Sequence, residues 1–382
     1  MWNESVRTNY LDTGDKRIIV VSDIHANLPY LKGLLQRVGF SDGDILIVDG
    51  DFLEKRDGSL ETLRYLADLS ARGLCRVVCG NCDGWSDAVD AMSEFWAERI
   101  VDYMLIKRSG VIYEMLGELG VTVVPGLDFR ALLPALRERF RAEFDFIRSL
   151  PHVIETEHMI FVHGGLRTDL PREAQHGGSV MKFDNFLGTD YAFGKWLVVG
   201  HWPVVLYHND VVCATPIIDR RRHIISIDGG CTLKDDGQLN ALIIPHDGSE
   251  DFSFASYDPF PVYRVKTPQS RSERSYYIRW GDNKVEILRR GEEFSLCRHI
   301  RTGYEMEILN RYLRPDGDIY RTNDCTDLVL ELSPGDEVSV VERTGRGVFC
   351  KHRGTSGWYF GELEPVGEPR EPWERKDFCE LP

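Results

Sequence analysis

The sequence predicts an α/β fold of two sheets packed as a sandwich between helices, followed by a small all-β C-terminal region. Three observations carry this reading. Residues 16 to about 83 alternate apolar strand-like runs with helical patterns, and strand patterns resume after a helical stretch at about 86–150. After about residue 258 the texture changes to short alternating strands broken by Gly, Pro and Asp. A chain of 382 residues exceeds the usual ceiling for one core. One large unit at 1–258 and a β-rich region at 259–382 are therefore expected.

KRIIVV reads as a buried strand, and LPYLKGLLQRVGF carries apolar residues at helical spacing. DILIVD is a second strand. SLETLRYLADLSARG is a helix, with Ser59 as its N-cap and Gly73 near its end. RVVC is the third strand. This βαβαβ rhythm implies parallel strands whose C-terminal ends collect ligands. Ser86 is expected to cap the helix DAVDAMSEFWAERIVDYMLIK, and DFRALLPALRERFRAEFDFIRSL to form an amphipathic helix interrupted early by Pro134. HMIFV, KWLVV, VVCAT, HIISI and LNALIIP return to strand patterns, and a second sheet packed on the first would accommodate them. Beyond the join near Tyr257–Pro261, LRRGEEFSLCRHIRTGYEMEI and LSPGDEVSVVERTGRGVFCKH read as two copies of one small β unit. The ending GWYFGELEP resembles the last strand of bacterial SH3-like domains.

Hydrophobic content of 42% and charged content of 28% fit a soluble globular chain. No apolar run approaches the roughly 20 residues that span a bilayer, so no membrane association is expected. The N-terminal MWNESVRTNYLDTGDKR lacks a secretory pattern. The nine cysteines, an odd number found mostly in apolar segments, suit reduced thiols, and a cytoplasmic location is expected. A net charge of −15 argues against nucleic-acid binding, because the average field repels a polyanion. Small phosphorylated substrates remain open, since bound metals reverse the local field.

Six apolar runs each end in a residue that can bind metal or phosphate: VVSDIHAN, IVDGDF, VVCGNCDG, FVHGG, VVGHWP and SIDGG. The first five place Asp23, His25, Asp51, Asn81, His163 and His201 just past a β-like stretch. Carboxylate, amide oxygen and imidazole together suit Mn, Fe or Zn better than Mg or Ca. Two such ions about 3.5–4 Å apart share a hydroxide and clamp a phosphoryl group, so a phosphoester hydrolase is expected. Asp51 is the best shared ligand, because a carboxylate has two oxygens. Any one of these motifs alone is more often an ordinary turn; five in order are hard to ascribe to unrelated loops.

In these motifs the chain resembles the calcineurin-like metallophosphoesterases. The likeness is greatest to the branch holding the serine/threonine protein phosphatases and symmetrical diadenosine tetraphosphatases. GDFLEKRDGSLET is similar to that branch's GDxVDRGxxSLET element, and HGGLRTDL to its HGGLSPDL element. VVGHWPV and SIDGGCTLKDDGQLNALII resemble the tetraphosphatase ending, and the likeness covers residues 16–245. It implies one metal at Asp23, His25 and Asp51 and a second at Asp51, Asn81, His163 and His201, with a bridging hydroxide attacking phosphorus. The implied substrate is a phosphoprotein or a nucleotide.

Two departures bear on activity. The family's arginine after the second motif is matched by Lys55, with Arg56 one residue on, and a lysine lacks the bidentate fork. Arg167 beside the HGG motif is a further phosphate clamp; for all three the plainer reading is a solvated surface cation. The family's Gly-Asn-His-(Asp/Glu) is here Gly-Asn-Cys-Asp, so Cys82 takes the place of the general acid and Asp83 has no imidazole to orient. A thiol of pKa about 8.5 is a poor proton donor, and general acid help is worth roughly 10²–10⁴-fold. Activated leaving groups need it least, so phosphodiesters or dinucleoside polyphosphates compete with phosphoserine as substrates. A Gly-Asn-Cys-Asp element also occurs in a phosphodiesterase branch of the superfamily.

His208, which follows the GHW turn, is a candidate replacement donor, and Trp202 and Tyr207 could stack on an aromatic group or simply pack. Asp228, Gly229 and Gly230 are read as a turn closing the metal pocket. Cys79 and Cys82 form a C-x-x-C with no second pair, which favours a buried Cys79 and a Cys82 at the rim over a redox or zinc role. Two other functions fit less of the pattern: a scaffold that binds a phosphorylated partner with little turnover, and a C-terminal region that itself binds a peptide, another chain or a cell-wall fragment.

Overall fold

The computed structural model describes residues 2–90, 92, 94–367 and 373–380. In chain order its first half holds β1 (Thr8–Tyr10), β2 (Arg17–Val21), α1 (Leu28–Arg37), β3 (Asp44–Asp49), α2 (Ser59–Ala71) and β4 (Cys75–Val78). Five helices follow: α3 (Trp85–Asp90), α4 (Glu94–Lys107), α5 (Val111–Glu118), α6 (Phe129–Arg139) and α7 (Arg141–Ser149). Next come β5 (Val153–Glu155), β6 (Met159–Phe161), the short α8 (Gly177–Met181), β7 (Trp196–Val199), β8 (Val212–Cys213), β9 (Ile217–Asp219), β10 (Ile224–Ser226), β11 (Leu239–Ile244) and β12 (Ser253–Tyr257).

Two six-stranded sheets form the body. Within the first, β11 is antiparallel to β2, and β2, β3 and β4 run parallel, with Val20 opposite Ile47 and Val48 opposite Val77. In the second, β6, β7 and β10 are parallel neighbours. Residues alternate faces along a strand. Ile18 and Val20 therefore point between the sheets with Ile45, Phe161, Val198 and Ile225, whereas Ile19 and Val21 pack under Leu31, Leu34, Leu63 and Leu66 of the helices. Burial on both faces explains why these strands read as continuous apolar runs. The expected sandwich is present.

Several local expectations need correction. LNALII joins the first sheet as β11, and VVCAT leaves the body to pair as β8 with a C-terminal strand, so of the five expected runs only HMIFV, KWLVV and HIISI enter the second sheet. Ser59 is the first residue of α2 and Gly58 its cap. The helix start is instead served from α5: the Glu114 carboxylate accepts the amides of Gly58, Ser59 and Leu60 at 2.8, 3.1 and 2.8 Å. Ser86 lies inside α3 rather than capping one long helix. Pro134 sits within an unbroken α6; the break comes at Phe140, which leaves helical geometry (φ −113°, ψ 30°) while its ring is fully buried.

The C-terminal region comprises β13 (Val262–Val265), β14 (Tyr277–Ile278), β15 (Lys284–Arg289), β16 (Phe294–His299), β17 (Glu305–Leu309), β18 (Arg314–Asp316), β19 (Ile319–Arg321) and β20 (Cys325–Thr326). It continues with β21 (Glu337–Arg343), β22 (Val348–His352), β23 (Thr355–Tyr359), β24 (Leu363–Pro365) and β25 (Glu374–Arg375). The two repeat segments are antiparallel hairpins, β16–β17 and β21–β22, each turning at its Arg-Thr-Gly. The region is woven into the body twice, because β8 extends its sheet and β25 returns to pair with β12. Among the described residues no helix is long and apolar enough to cross a membrane.

Replacing Glu114 by Ala leaves three amides at the α2 start without their acceptor. Urea denaturation is expected to show a loss of about 1–3 kcal/mol; an unchanged midpoint and slope would contradict the cap.

Candidate metal centre

Each strand that points its C-terminal end at one corner of the sandwich delivers a polar side chain there. Asp23 and His25 follow β2, Asp51 follows β3 and Asn81 follows β4. From the other sheet, His163 follows β6, His201 follows β7 and Asp228 follows β10. His25 Nε2 lies 3.8 Å from Asp23 Oδ1, and His163 Nε2 lies 3.3 Å from Asp51 Oδ1 and 4.0 Å from Asp23 Oδ1. The rings of His163 and His201 meet edge to face at 5.4 Å. Ligand atoms of Asp51, His163 and His201 all fall within 4.8 Å of one another, as do those of His25, Asp51 and Cys82.

The backbone is bent to make this convergence. Asp23, His25, Asp51 and His201 have φ of 53°, 48°, 51° and 63°, left-handed values that cost of order 1–3 kcal/mol each unless the surroundings impose them. The bonds that impose them run between the loops: Asp23 N–H to Gly50 O and His25 N–H to Asp51 O, both 3.0 Å, and His201 N–H to Asp23 Oδ2 at 2.9 Å. Two of the motif glycines follow from the crowding. A Cβ on Gly80 would lie 2.2 Å from Asp51 Oδ1, and one on Gly200 would lie 2.4 Å from Asp23 Oδ2.

The histidine tautomers are fixed from behind. His163 Nδ1 donates to Asp49 O at 2.7 Å and His25 Nδ1 to Leu53 O at 3.3 Å, so each turns Nε2 to the site, bare when the ring is neutral. His201 differs, with Nε2 2.8 Å from Asp184 Oδ1. Asp83, fully buried, spends its carboxylate on backbone amides: Asp51 and Gly80 at 2.8 Å and Leu53 at 3.1 Å. It ties the β3 and β4 loops together beneath the site.

Burial drives the electrostatics. It raises Asp23, with Asp228 adding repulsion, pushes Asp228 up to about 6 and Asp83 up to about 7, and pulls His25 down to about 4. Asp51 is carried the other way, because His163 and His25 outweigh its burial and hold it well below the carboxylate range. His163 is raised despite its burial by Asp51 and Asp23. Asp23 Oδ1, Asn81 Oδ1, His163 Nε2 and Asp228 Oδ2 are buried with no hydrogen-bond partner. Orphaned acceptors of this kind cost about 1–3 kcal/mol each. A cluster of acceptors that face one another fits cations, and the mixture of carboxylate, amide and imidazole donors fits Mn, Fe or Zn.

The centre opens into a cavity of about 1180 Å³. Of the catalytic candidates read from sequence, Cys82 and Lys55 line it, whereas Asp83 lies below it and Arg56 and Arg167 are not among its lining residues. Arg167 is exposed and held by Asp169 at 2.6 and 3.0 Å. Tyr207 is also absent from the lining, and its hydroxyl oxygen accepts the Leu187 amide N–H at 3.4 Å. His208, the candidate donor, lies elsewhere beside Cys213 and Cys379. The opposite wall comes from the C-terminal region, including Tyr277, Trp280, Arg311 and Arg314. Trp280 meets Trp202 edge to face at 6.0 Å. Lys182, Asp184 and this wall escaped sequence reading, because none follows an apolar strand and only tertiary packing brings them to the centre.

A model of the calcineurin-like phosphoesterase family matches residues 16–227. No curated protein matches the chain. Among solved structures, a candidate diadenosine tetraphosphatase is 19% identical, with 66% of this chain and 97% of that one covered and a TM-score of 0.43. A protein serine/threonine phosphatase from Saccharomyces cerevisiae is 11% identical, covering 70% and 86%, with a TM-score of 0.39. A metallophosphoesterase from Sphaerobacter thermophilus is 16% identical, covering 64% and 89%, with a TM-score of 0.37.

Asp83→Ala frees the Asp51 and Asn81 loops without removing a donor from the centre. Manganese titration is expected to show affinity reduced by about 10–100-fold. Wild-type affinity would mean that the brace is dispensable.

Proposed function

The chain belongs to the calcineurin-like phosphoesterase family, and we propose that it hydrolyses activated phosphate esters, diesters or nucleotide anhydrides, at a two-ion centre formed by Asp23, His25, Asp51, Asn81, His163 and His201. The observation that carries this reading is the set of buried, unpartnered acceptors on the floor of an open cavity. Divalent ions bound there would supply an activated water and neutralise charge on the phosphoryl oxygens.

The protein's own groups have separable tasks in this reading. Asp51, with its carboxylate fixed by the Cys82 amide at 2.7 Å, would be the ligand common to both ions. Lys55 and Lys182 line the cavity without a carboxylate partner within ion-pair distance among the described residues, so both are free to contact non-bridging oxygens. Asp184 orients His201.

The choice of substrate rests on Cys82 and on the cavity wall. Burial and the neighbouring Asp51 raise the Cys82 thiol well above its ordinary value, so it holds its proton when a leaving oxygen needs one. Esters whose leaving group is stable as an anion are then favoured. The cavity exceeds the roughly 300–1,000 Å³ typical of small-ligand sites, and its wall, with Tyr277, Trp280 and Tyr312 and with arginines balanced by Asp316, Asp324 and Glu342, suits a bulky substrate that carries an aromatic group.

Purified protein loaded with Mn is expected to turn over an aryl phosphodiester and an aryl monoester faster than a phosphoserine peptide. Cys82→His should raise the phosphoserine rate, toward the roughly 10²–10⁴-fold of general acid help. Faster wild-type turnover of the peptide than of both aryl esters would overturn the substrate assignment, and no turnover of any of the three would overturn the hydrolytic one.

A further inference from the structure

We propose that His208, Cys213 and Cys379 form a third cation site, separate from the catalytic pair and selective for zinc or another thiophilic ion, that staples the C-terminal tail to the wall of the cavity. The three residues come from distant places. His208 ends the 3-10 turn Val204–Tyr207, Cys213 lies on β8, and Cys379 belongs to the tail beyond β25. The Cys213 and Cys379 sulfurs are 3.2 Å apart, and a ring nitrogen of His208 completes a group whose ligand atoms lie within 4.8 Å of one another.

Two observations point to a ligand. His208 Nε2 is buried with no hydrogen-bond partner. Two thiols and an imidazole are also a donor set that suits zinc far better than Mg, Ca or Mn. A bond between the two sulfurs would satisfy neither that nitrogen nor any requirement for the histidine. With Zn–S near 2.3 Å, tetrahedral ligation separates two sulfurs by about 3.8 Å, so binding moves them apart by roughly 0.6 Å.

The tail around Cys379 is also tied to the body by Phe378, whose ring meets Phe254 edge to face at 4.9 Å, and by main-chain bonds. Ile218 N–H donates to Cys379 O at 2.9 Å and Cys379 N–H to Pro216 O at 3.0 Å. Val212, next to Cys213, lines the catalytic cavity, and β8 carries β23 of the C-terminal sheet. An ion at this joint would therefore fix both the tail and the strand that links the two regions.

Full-length protein, purified reduced and metal-free, is titrated with Co(II). The expected result is a thiolate-to-cobalt charge-transfer band in the near ultraviolet that zinc displaces. Because Cys82 borders the catalytic centre, Cys82→Ser is the control and should keep the band. Cys213→Ser and Cys379→Ser should abolish it, and His208→Ala should weaken cobalt binding by about tenfold or more. A wild-type protein with no such band, or a band lost only in Cys82→Ser, would overturn the proposal. So would a protein isolated without reductant that is about 2 Da lighter than its reduced form, with the Cys213–Cys379 disulfide recovered on digestion.

Discussion

Two acceptors face each other at the heart of this protein, and the rest of the site is arranged around that conflict. The Asp49 carbonyl accepts from His163 Nδ1–H, so Nε2, bare when the ring is neutral, looks across 3.3 Å at Asp51 Oδ1. Neither atom has a hydrogen to offer the other unless a proton or a metal ion intervenes. His25 repeats the arrangement through Leu53 O, with Nε2 3.8 Å from Asp23 Oδ1. Asp49, whose own carboxyl is pushed up to about 8 by burial, supplies the carbonyl without adding a full charge near neutral pH.

Holding acceptors in opposition requires a scaffold that resists relaxation. Parallel strands in both sheets end at the same corner, and the loops leaving them are locked in left-handed turns by bonds from one loop to the next. Asp83, in the β4 loop, accepts two amides of the β3 loop, Asp51 and Leu53, and one of its own loop, Gly80. Glu54 ties the β3 loop to the helical segment by accepting the Val111 amide at 2.9 Å, and Glu114 returns the tie by capping α2. The strain is distributed over packed elements rather than carried by any single residue.

Much of this was legible in the sequence because each donor follows an apolar run that could only be a buried strand. Asp23, His25, Asp51, Asn81, His163 and His201 were found in that way, and the structure gathers them at one corner. What local pattern could not supply were pairings set by packing. LNALII joins β2 across more than half the body, and β8 serves the C-terminal sheet, although both read simply as strands. Pro134 looked like the helix breaker, yet α6 absorbs it and the buried Phe140 ends the helix. Asp83, read as an acid with no imidazole to orient, is bound by backbone amides instead. His208 reads as a replacement proton donor, yet the fold sets it beside Cys213 and Cys379. A partner from far along the chain decides each of these cases.

The most direct test is an anomalous difference map at the manganese edge from crystals of the full chain grown with Mn. The account predicts two peaks, one contacting Asp23 and His25, the other Asn81, His163 and His201, with Asp51 touching both. A single peak away from Asp51, or none at saturating manganese, would contradict it.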